Sequence, residues 1–227
     1  MSDSDSKLWY LENFNLFDEM SKDELMEVEK KTRMKIYNKG QYIYFPDDTS
    51  NYLFFLKTGR VKLCSYSEDG KEIIKAILWP GEIFGEIGLI GNDKRNDYAQ
   101  PLDDDVLLCT MRKDDMKMMM KMNPSLNFRI MKLIGLRFRK IERKLESLIF
   151  KDARTRIVDL IKDLAEERGK KLGTDIFVKH YLTHQDFAYL TATSRQNVTT
   201  IFNELKTKGI IDFERKSFII RNFSKLK

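Results

Sequence analysis

THQDFAYLTATSRQNVTTIFNELK, residues 183–206, is the stretch that decides the fold of this chain. Thr183 is a residue type that caps helix starts, and the short helix it opens has Phe187, Ala188 and Leu190 as inward positions. Thr191-Ala192-Thr193 makes a tight turn, and Ser194 caps a second helix that buries Val198, Ile201, Phe202 and Leu205. Small Ala188 facing Val198 lets the two helices cross closely, as a helix-turn-helix requires. Lys208-Gly209 ends the second helix, and IIDFERKSFIIRN (210–222) reads as two strands around Glu214-Arg215-Lys216. The spacing predicts a winged helix-turn-helix.

The exposed side of the second helix carries Arg195, Gln196, Asn197, Thr199 and Thr200. Arginine forks to guanine O6 and N7, and glutamine or asparagine pairs with adenine N6 and N7, so these five are the candidates for base readout. Thr183, Ser194, Lys206, Arg215 and Lys216 are the candidates for phosphate contacts, which fix register without reading sequence. Charge points the same way. Residues 1–150 carry 25 Lys/Arg against 25 Asp/Glu, and residues 151–227 carry 16 against 10, so the whole net charge of +6 resides in the last third. A neutral body with a basic tail domain suits a polyanionic partner, double-stranded DNA. The bland alternative is a winged-helix module that packs against protein.

Working back from the motif, DIFVKHYLT (175–183) is strand-like and RIVDLIKDLAEERG (156–169) is an amphipathic helix that begins beyond Asp152 and stops at Gly169. Before it, from Asn123-Pro124, Met131, Ile134, Phe138, Ile141, Leu145 and Leu148 recur at spacings of 3, 4, 3, 4 and 3. That is an a/d seam flanked by Arg137, Arg139, Lys140, Arg143 and Lys144. About 27 residues at 1.5 Å each make a rod of roughly 40 Å. Such a stripe could lie on its own domain, but its charged flanks favour a two-helix seam between copies in a homodimer.

From Met34 to Met111 the pattern changes to short β-branched and aromatic runs: YIYF, YLFFLKTG, RVKLCSYS, EIIKAILW and DVLLCTM. Turn signals at Asn38-Lys39-Gly40, Pro46-Asp47-Asp48, Glu68-Asp69-Gly70, Pro80-Gly81 and Gly91-Asn92-Asp93 separate them, which predicts an antiparallel sandwich or barrel, with a jelly roll the favoured form. Leu8–Lys31 reads as helical, with a capping box at Ser21-Lys22-Asp23-Glu24. The methionines 116, 118, 119, 120 and 122 read as a short helix packed on the roll. Asp103-Asp104-Asp105 reads as a solvated loop, and Trp9 and Trp79 as core or interface anchors. The expected class is α+β, with a β-roll over 1–122, a dimerisation helix over 123–150 and a winged helix-turn-helix over 151–227.

Composition narrows the function. The hydrophobic share of 42% and charged share of 33% are ordinary for a globular protein. No apolar run approaches the ~20 residues of a membrane span, and a cytoplasmic location is expected. Cys64 and Cys109, without CxxC spacing, read as buried reduced thiols and are too few for an iron–sulfur cluster. His180 and His184 leave residues 1–179 without an imidazole for haem or zinc, so neither metal nor cofactor is expected. No Ser/His/Asp set or paired carboxylates with usable spacing argue for an enzyme.

A β-roll, a long helix and a winged helix in that order resemble the Crp/Fnr transcription regulators, dimeric bacterial proteins. The resemblance covers residues 10–222 and rests on PGEIFGEIGLI (80–90), TSRQNVTTIFNELKTKGII (193–211) and the FKDARTRI hinge (150–157). It implies a cyclic-nucleotide-binding-like sensor, binding to a palindrome and contact with RNA polymerase. In the family the recognition helix opens Ser-Arg-Glu with a second arginine four residues later; here Gln196 and Thr200 stand instead, which implies a more A/T-tolerant half-site.

The resemblance also marks an effector pocket. Gly85-Glu86 matches the pair that meets the ribose, Arg95-Asn96 the pair that clamps the cyclic phosphate, and Ile141 and Glu142 fall where adenine-binding hydroxyls belong. Asp97 beside Arg95 is expected to pair with it and repel an anion, and Ile141 offers adenine no hydrogen bond. Control by cyclic AMP is therefore not expected. The effector, the promoters and the sign of regulation stay open. The rival reading is a cyclic-nucleotide-responsive effector that regulates a protein partner.

Overall fold

The computed structural model describes residues 16–17, 20–70, 72–91, 94–214 and 216–226. Trp9 and most of the expected Leu8–Lys31 helix before Ser21 lie outside them, as do Asn92, Asp93 and Arg215. The chain forms two compact units that divide between Phe138 and Arg139.

The first unit opens on helix α1 (Lys22–Lys31), whose capping box at Ser21 and Glu24 is complete. Seven antiparallel strands follow: β1 (Thr32–Tyr37), β2 (Tyr52–Thr58), β3 (Val61–Tyr66), β4 (Glu72–Leu78), β5 (Ile83–Phe84), β6 (Tyr98–Pro101) and β7 (Val106–Arg112). They make two sheets, ordered β1-β7-β2-β5 and β4-β3-β6. Strand β2 explains the layering. Phe54 and Leu56 enter one core with Tyr44, Val61, Phe84 and Leu108, while Leu53 and Phe55 on the opposite face enter a second with Val28, Met116 and Ile130. A strand buried on both faces reads as an unbroken apolar run, as YLFFL does.

The second core is closed by α2 (Lys113–Met122), through Met116 and Met119, and by the start of the 27-residue helix α3 (Pro124–Phe150), through Leu126 and Ile130. Asn123 Nδ2 donates to Glu24 Oε1 at 2.7 Å, joining the two helix starts. Both cysteines are buried thiols outside any disulfide, and burial pushes the Cys64 thiol up to about 12.

Two expectations are corrected here. YIYF is not a strand: among its residues Tyr44 alone bridges, to Ala99, because Pro46 and the turn bond from Phe45 N to Asp48 Oδ2 stop the ladder. The Asp103 loop is not simply solvated, since Arg60 Nε and Nη2 donate to its two carboxylate oxygens at 2.9 and 2.6 Å.

The second unit continues through α4 (Ala153–Arg168), capped by Asp152, then β8 (Lys170–Leu172), β9 (Asp175–Lys179), α5 (His184–Leu190), α6 (Arg195–Thr207), β10 (Ile211–Phe213) and β11 (Ser217–Ile220). Its sheet runs β10-β11-β9-β8. The winged helix-turn-helix expected from the sequence is present. Phe187, Ala188, Val198, Ile201, Phe202 and Leu205 are buried, while Leu190 is only half-buried. Among the described residues no helix is long and apolar enough to cross a membrane.

Candidate DNA interface and effector site

Helices α5 and α6 are set by their caps. The Thr183 hydroxyl accepts from Asp186 N at 3.1 Å and donates to Asp186 Oδ2 at 2.7 Å. The Ser194 hydroxyl accepts from Asn197 N at 3.1 Å. Between the caps the chain reverses through Ala192 at φ +48°, and Thr193 N donates back to Ala188 O at 2.9 Å. With Val198, Ile201, Phe202 and Leu205 holding the inner face, Arg195, Gln196, Asn197 and Thr200 stand exposed on the outer one.

Thr199 is placed differently from the sequence expectation. It is half-buried and turned to α5: its hydroxyl donates to Arg195 O at 3.0 Å and meets His184 Nδ1 at 2.9 Å. Because the threonine proton is engaged by Arg195, the ring nitrogen is the donor in the second contact. Burial holds the His184 pKa below its ordinary value, and the nearby Arg195 charge adds to the effect. His184 therefore anchors α6, a role that no local sequence signal announced.

Of the phosphate candidates, Ser194, Lys206 and Lys216 are exposed. Lys206 Nζ lies 3.7 Å from Asp212 Oδ1, a loose surface pair that leaves the ammonium available. Lys216 and Lys179 lie over the Tyr181 ring at 5.7 and 4.8 Å. Thr183 is exposed, but its hydroxyl is used twice within its own capping box.

In the first unit, the PGEIFGEIGLI segment forms β5 and a 3-10 turn over Glu86–Ile90. Gly85 sits at φ +83°, and a Cβ there would lie 2.8 Å from Tyr52 O and 2.9 Å from Arg95 Nη1. A Cβ on Gly88 would lie 2.5 Å from the Ser50 hydroxyl oxygen and 2.9 Å from Ser50 O. Both glycines are required by packing.

Glu86 is completely buried. Its Oε1 accepts from Arg137 Nη1 of α3, and Arg137 Nη2 donates to Ile83 O, while Glu86 Oε2 is buried without a hydrogen-bond partner. Arg95 is 8% exposed. Its Nη1 donates to Gly85 O at 3.2 Å and its Nη2 to Tyr52 O at 2.5 Å. The guanidinium lies 4.5 Å from the centre of the Tyr44 ring. Its Nε is buried without a partner, and burial lowers its pKa.

The expected pairing of Asp97 with Arg95 is corrected. Asp97 Oδ1 accepts from the Tyr44 hydroxyl at 3.1 Å, and its Oδ2 lies 3.7 Å from Lys75 Nζ. Asn96, Ile141 and Glu142 are exposed. The long-helix residue brought to Glu86 is Arg137, which the sequence pattern had marked only as a charged flank of the seam. Among the described residues, no group of three or more His, Cys, Asp or Glu side chains is placed to hold a metal ion.

Comparison with known proteins bears on both units. A family profile described as cyclic nucleotide-binding domain matches residues 34–123, and one described as Crp-like helix-turn-helix domain matches residues 155–227. The chain is similar to the CRP-like cAMP-activated global transcriptional regulator of Mycobacterium tuberculosis, at 25% identity over 84% of each chain. It is similar to the cyclic AMP receptor protein of Thermus thermophilus at 27% identity over 78% of each. It is 26% identical to the global nitrogen regulator of a Nostoc species, over 82% of this chain and 84% of that one. In fold it resembles a CooA mutant from Carboxydothermus hydrogenoformans, with a TM-score of 0.77 and 24% identity over 98% and 94% of the two chains. It also resembles FixK2 from Bradyrhizobium japonicum, with a TM-score of 0.76 and 18% identity over 86% and 95%.

Proposed function

From the premise that this chain belongs to the Crp/Fnr family of transcription regulators, DNA-binding proteins rather than enzymes, we propose that it acts as a homodimer on a palindromic site without control by cyclic AMP. The observation that carries the DNA reading is the exposed Arg195-Gln196-Asn197 and Thr200 surface on a helix whose other face is buried. These four read base edges. Thr199 belongs with His184 as an anchor of the helix, and Ser194, Lys206, Lys216 and Thr183 carry the phosphate contacts, Thr183 after its hydroxyl leaves the capping box.

Dimerisation is supported by the stripe on α3. Met131 is 70% exposed and Ile141 66%, and Phe138, Leu145 and Leu148 are exposed with them. An apolar stripe of that length requires a cover, and a second copy of the helix fits it. Ile134 is the exception, because it packs partly on the first unit's own core. Two recognition helices then address half-sites about one turn, ~34 Å, apart. RNA polymerase is the partner the family implies.

The relatives named above differ in the signals their names give, so the effector reading rests on the residues. Arg137 engages Glu86, and both Nη groups of Arg95 donate to backbone carbonyls. A cyclic phosphate would compete with those carbonyls for the Nη groups of Arg95, whose Nε is the one nitrogen without a partner. Selection of bound duplexes from a random pool, with and without millimolar cyclic AMP, tests the whole reading. The expected product is a palindrome with A/T-tolerant half-sites, unchanged by the nucleotide. Recovery of the familiar cyclic-AMP-receptor consensus sinks the altered readout, and a rise in affinity with cyclic AMP sinks the nucleotide independence.

A second expected outcome is local. Arg195→Ala lowers affinity for the selected duplex by roughly 1–3 kcal/mol and relaxes the preference at one base position. Unchanged binding in a titration would remove Arg195 from the interface.

A further inference from the structure

The turn that delivers the recognition helix is held from outside the helix-turn-helix. Ala192 occupies the left-handed region at φ +48°, which an alanine enters only at a cost. Its neighbour Thr191 is buried and donates from its hydroxyl to Phe187 O at 2.6 Å. The carbonyls of Thr191 and Ala192 follow the end of α5, where helical N–H groups run out.

Both are met by one side chain from the first turn of α4. Arg156 Nε donates to Thr191 O at 2.8 Å and its Nη2 to Ala192 O at 3.1 Å. The third nitrogen, Nη1, donates to Lys151 O at 2.6 Å. Lys151 is the residue that follows α3, and its own N–H still donates to Ser147 O at 3.1 Å. One guanidinium thus ties the last turn of the long helix to the turn before the recognition helix. Two residues earlier, Arg154 Nη1 makes a 2.5 Å contact with Glu204 Oε2 on α6, a second brace between α4 and the recognition helix.

We propose that Arg156 is a positioning residue for DNA readout, a three-pronged strut that fixes the left-handed turn at Ala192 and keeps the start of α6 in register with the end of α3. The proposal rests on the DNA-binding reading above. Its physical basis is geometry rather than charge. A guanidinium presents donors in a rigid fork, and a lysine at the same place keeps the charge but puts all its donors on one nitrogen, where Arg156 meets each carbonyl from a different one. Without the fork, two turn carbonyls are left to water and Ala192 is free to leave its strained conformation. Base contacts need their side chains held to within about 0.5 Å, so a small shift of the helix start affects readout before it affects folding.

The test uses the full chain, with wild type, R156K, A192G and R156K/A192G titrated against the selected duplex and a scrambled one at one salt concentration. Each protein's melting is recorded alongside. R156K is expected to bind the selected duplex about tenfold more weakly and the scrambled duplex within threefold of wild type. Adding A192G should then recover most of the lost affinity, because glycine holds the left-handed turn without a strut.

Wild-type binding by R156K overturns the proposal. So does an equal loss on both duplexes, or a double variant that regains melting temperature but not affinity. If R156K is unfolded at the assay temperature, Arg156→Gln takes its place, with the same losses expected and the same outcomes overturning the strut. A wild-type protein that selects no duplex at all instead fails the DNA-binding reading, and the strut falls with it.

Discussion

Replacing Phe202 with alanine is expected to lower the stability of the C-terminal unit by about 3–5 kcal/mol. Phe202 is buried where the helices and the wing meet. Its ring stacks on Phe213 at 3.9 Å and 10°, and meets the edges of Phe187 and His184 at 5.0 Å each. Truncation leaves a cavity bordered by three different elements, which cannot collapse without moving α6. Domains of this kind have about 5–15 kcal/mol in total, so the loss removes much of the margin. Urea unfolding of the full chain, followed by amide exchange over residues 183–207, reads it directly. Phe202→Leu should cost far less; an alanine variant within about 1 kcal/mol of wild type would mean that the ring is not the centre of this core.

Arg137→Met is the second substitution with a large expected effect, about 3–5 kcal/mol in the N-terminal unit. It leaves Glu86, with no solvent exposure, without the cation that neutralises it, while one of its oxygens already lacks a partner. Trp79 lies in this unit, half-buried with Arg60 over its ring, and its fluorescence reports the transition. The diagnostic comparison is the double variant. Arg137→Met with Glu86→Leu removes both charges, so it should be more stable than Arg137→Met alone by about 2 kcal/mol or more. A single variant as stable as wild type would show that the guanidinium does not serve Glu86.

The two units differ in how far their chemistry was legible in the sequence. The recognition motif was readable because its determinants are local: Ser194 caps through a residue three positions on, and the apolar spacing of Val198, Ile201, Phe202 and Leu205 names its own buried face. The strand order of the roll was less so. YIYF has every compositional mark of a strand, yet Pro46 and the Asp48 side chain take the hydrogen bonds that would extend the ladder. The surroundings of Glu86 and Arg95 were the least legible. Arg137 and Glu86 are 51 positions apart, and a charge beside an a/d seam reads as solvated unless the fold brings a buried carboxylate to it. Asp97 shows the reverse case, since adjacency to Arg95 suggested a pair that Tyr44 and Lys75 intercept. Thr199 combines the two: its place on the helix was right, and the side chain that claims its hydroxyl comes from another element.

Gly85 and Gly88 carry one further consequence. At either position a methyl group would run into backbone oxygen, Tyr52 O in one case and Ser50 O in the other, whatever the roll does or does not bind. Mutational drift in a lineage that had stopped sensing a nucleotide would therefore spare these two glycines while altering the polar residues around them. The glycine pattern is a fossil of architecture, and the test of a living sensor lies in whether a ligand finds Glu86 still able to accept a hydrogen bond and Arg95 still able to donate one.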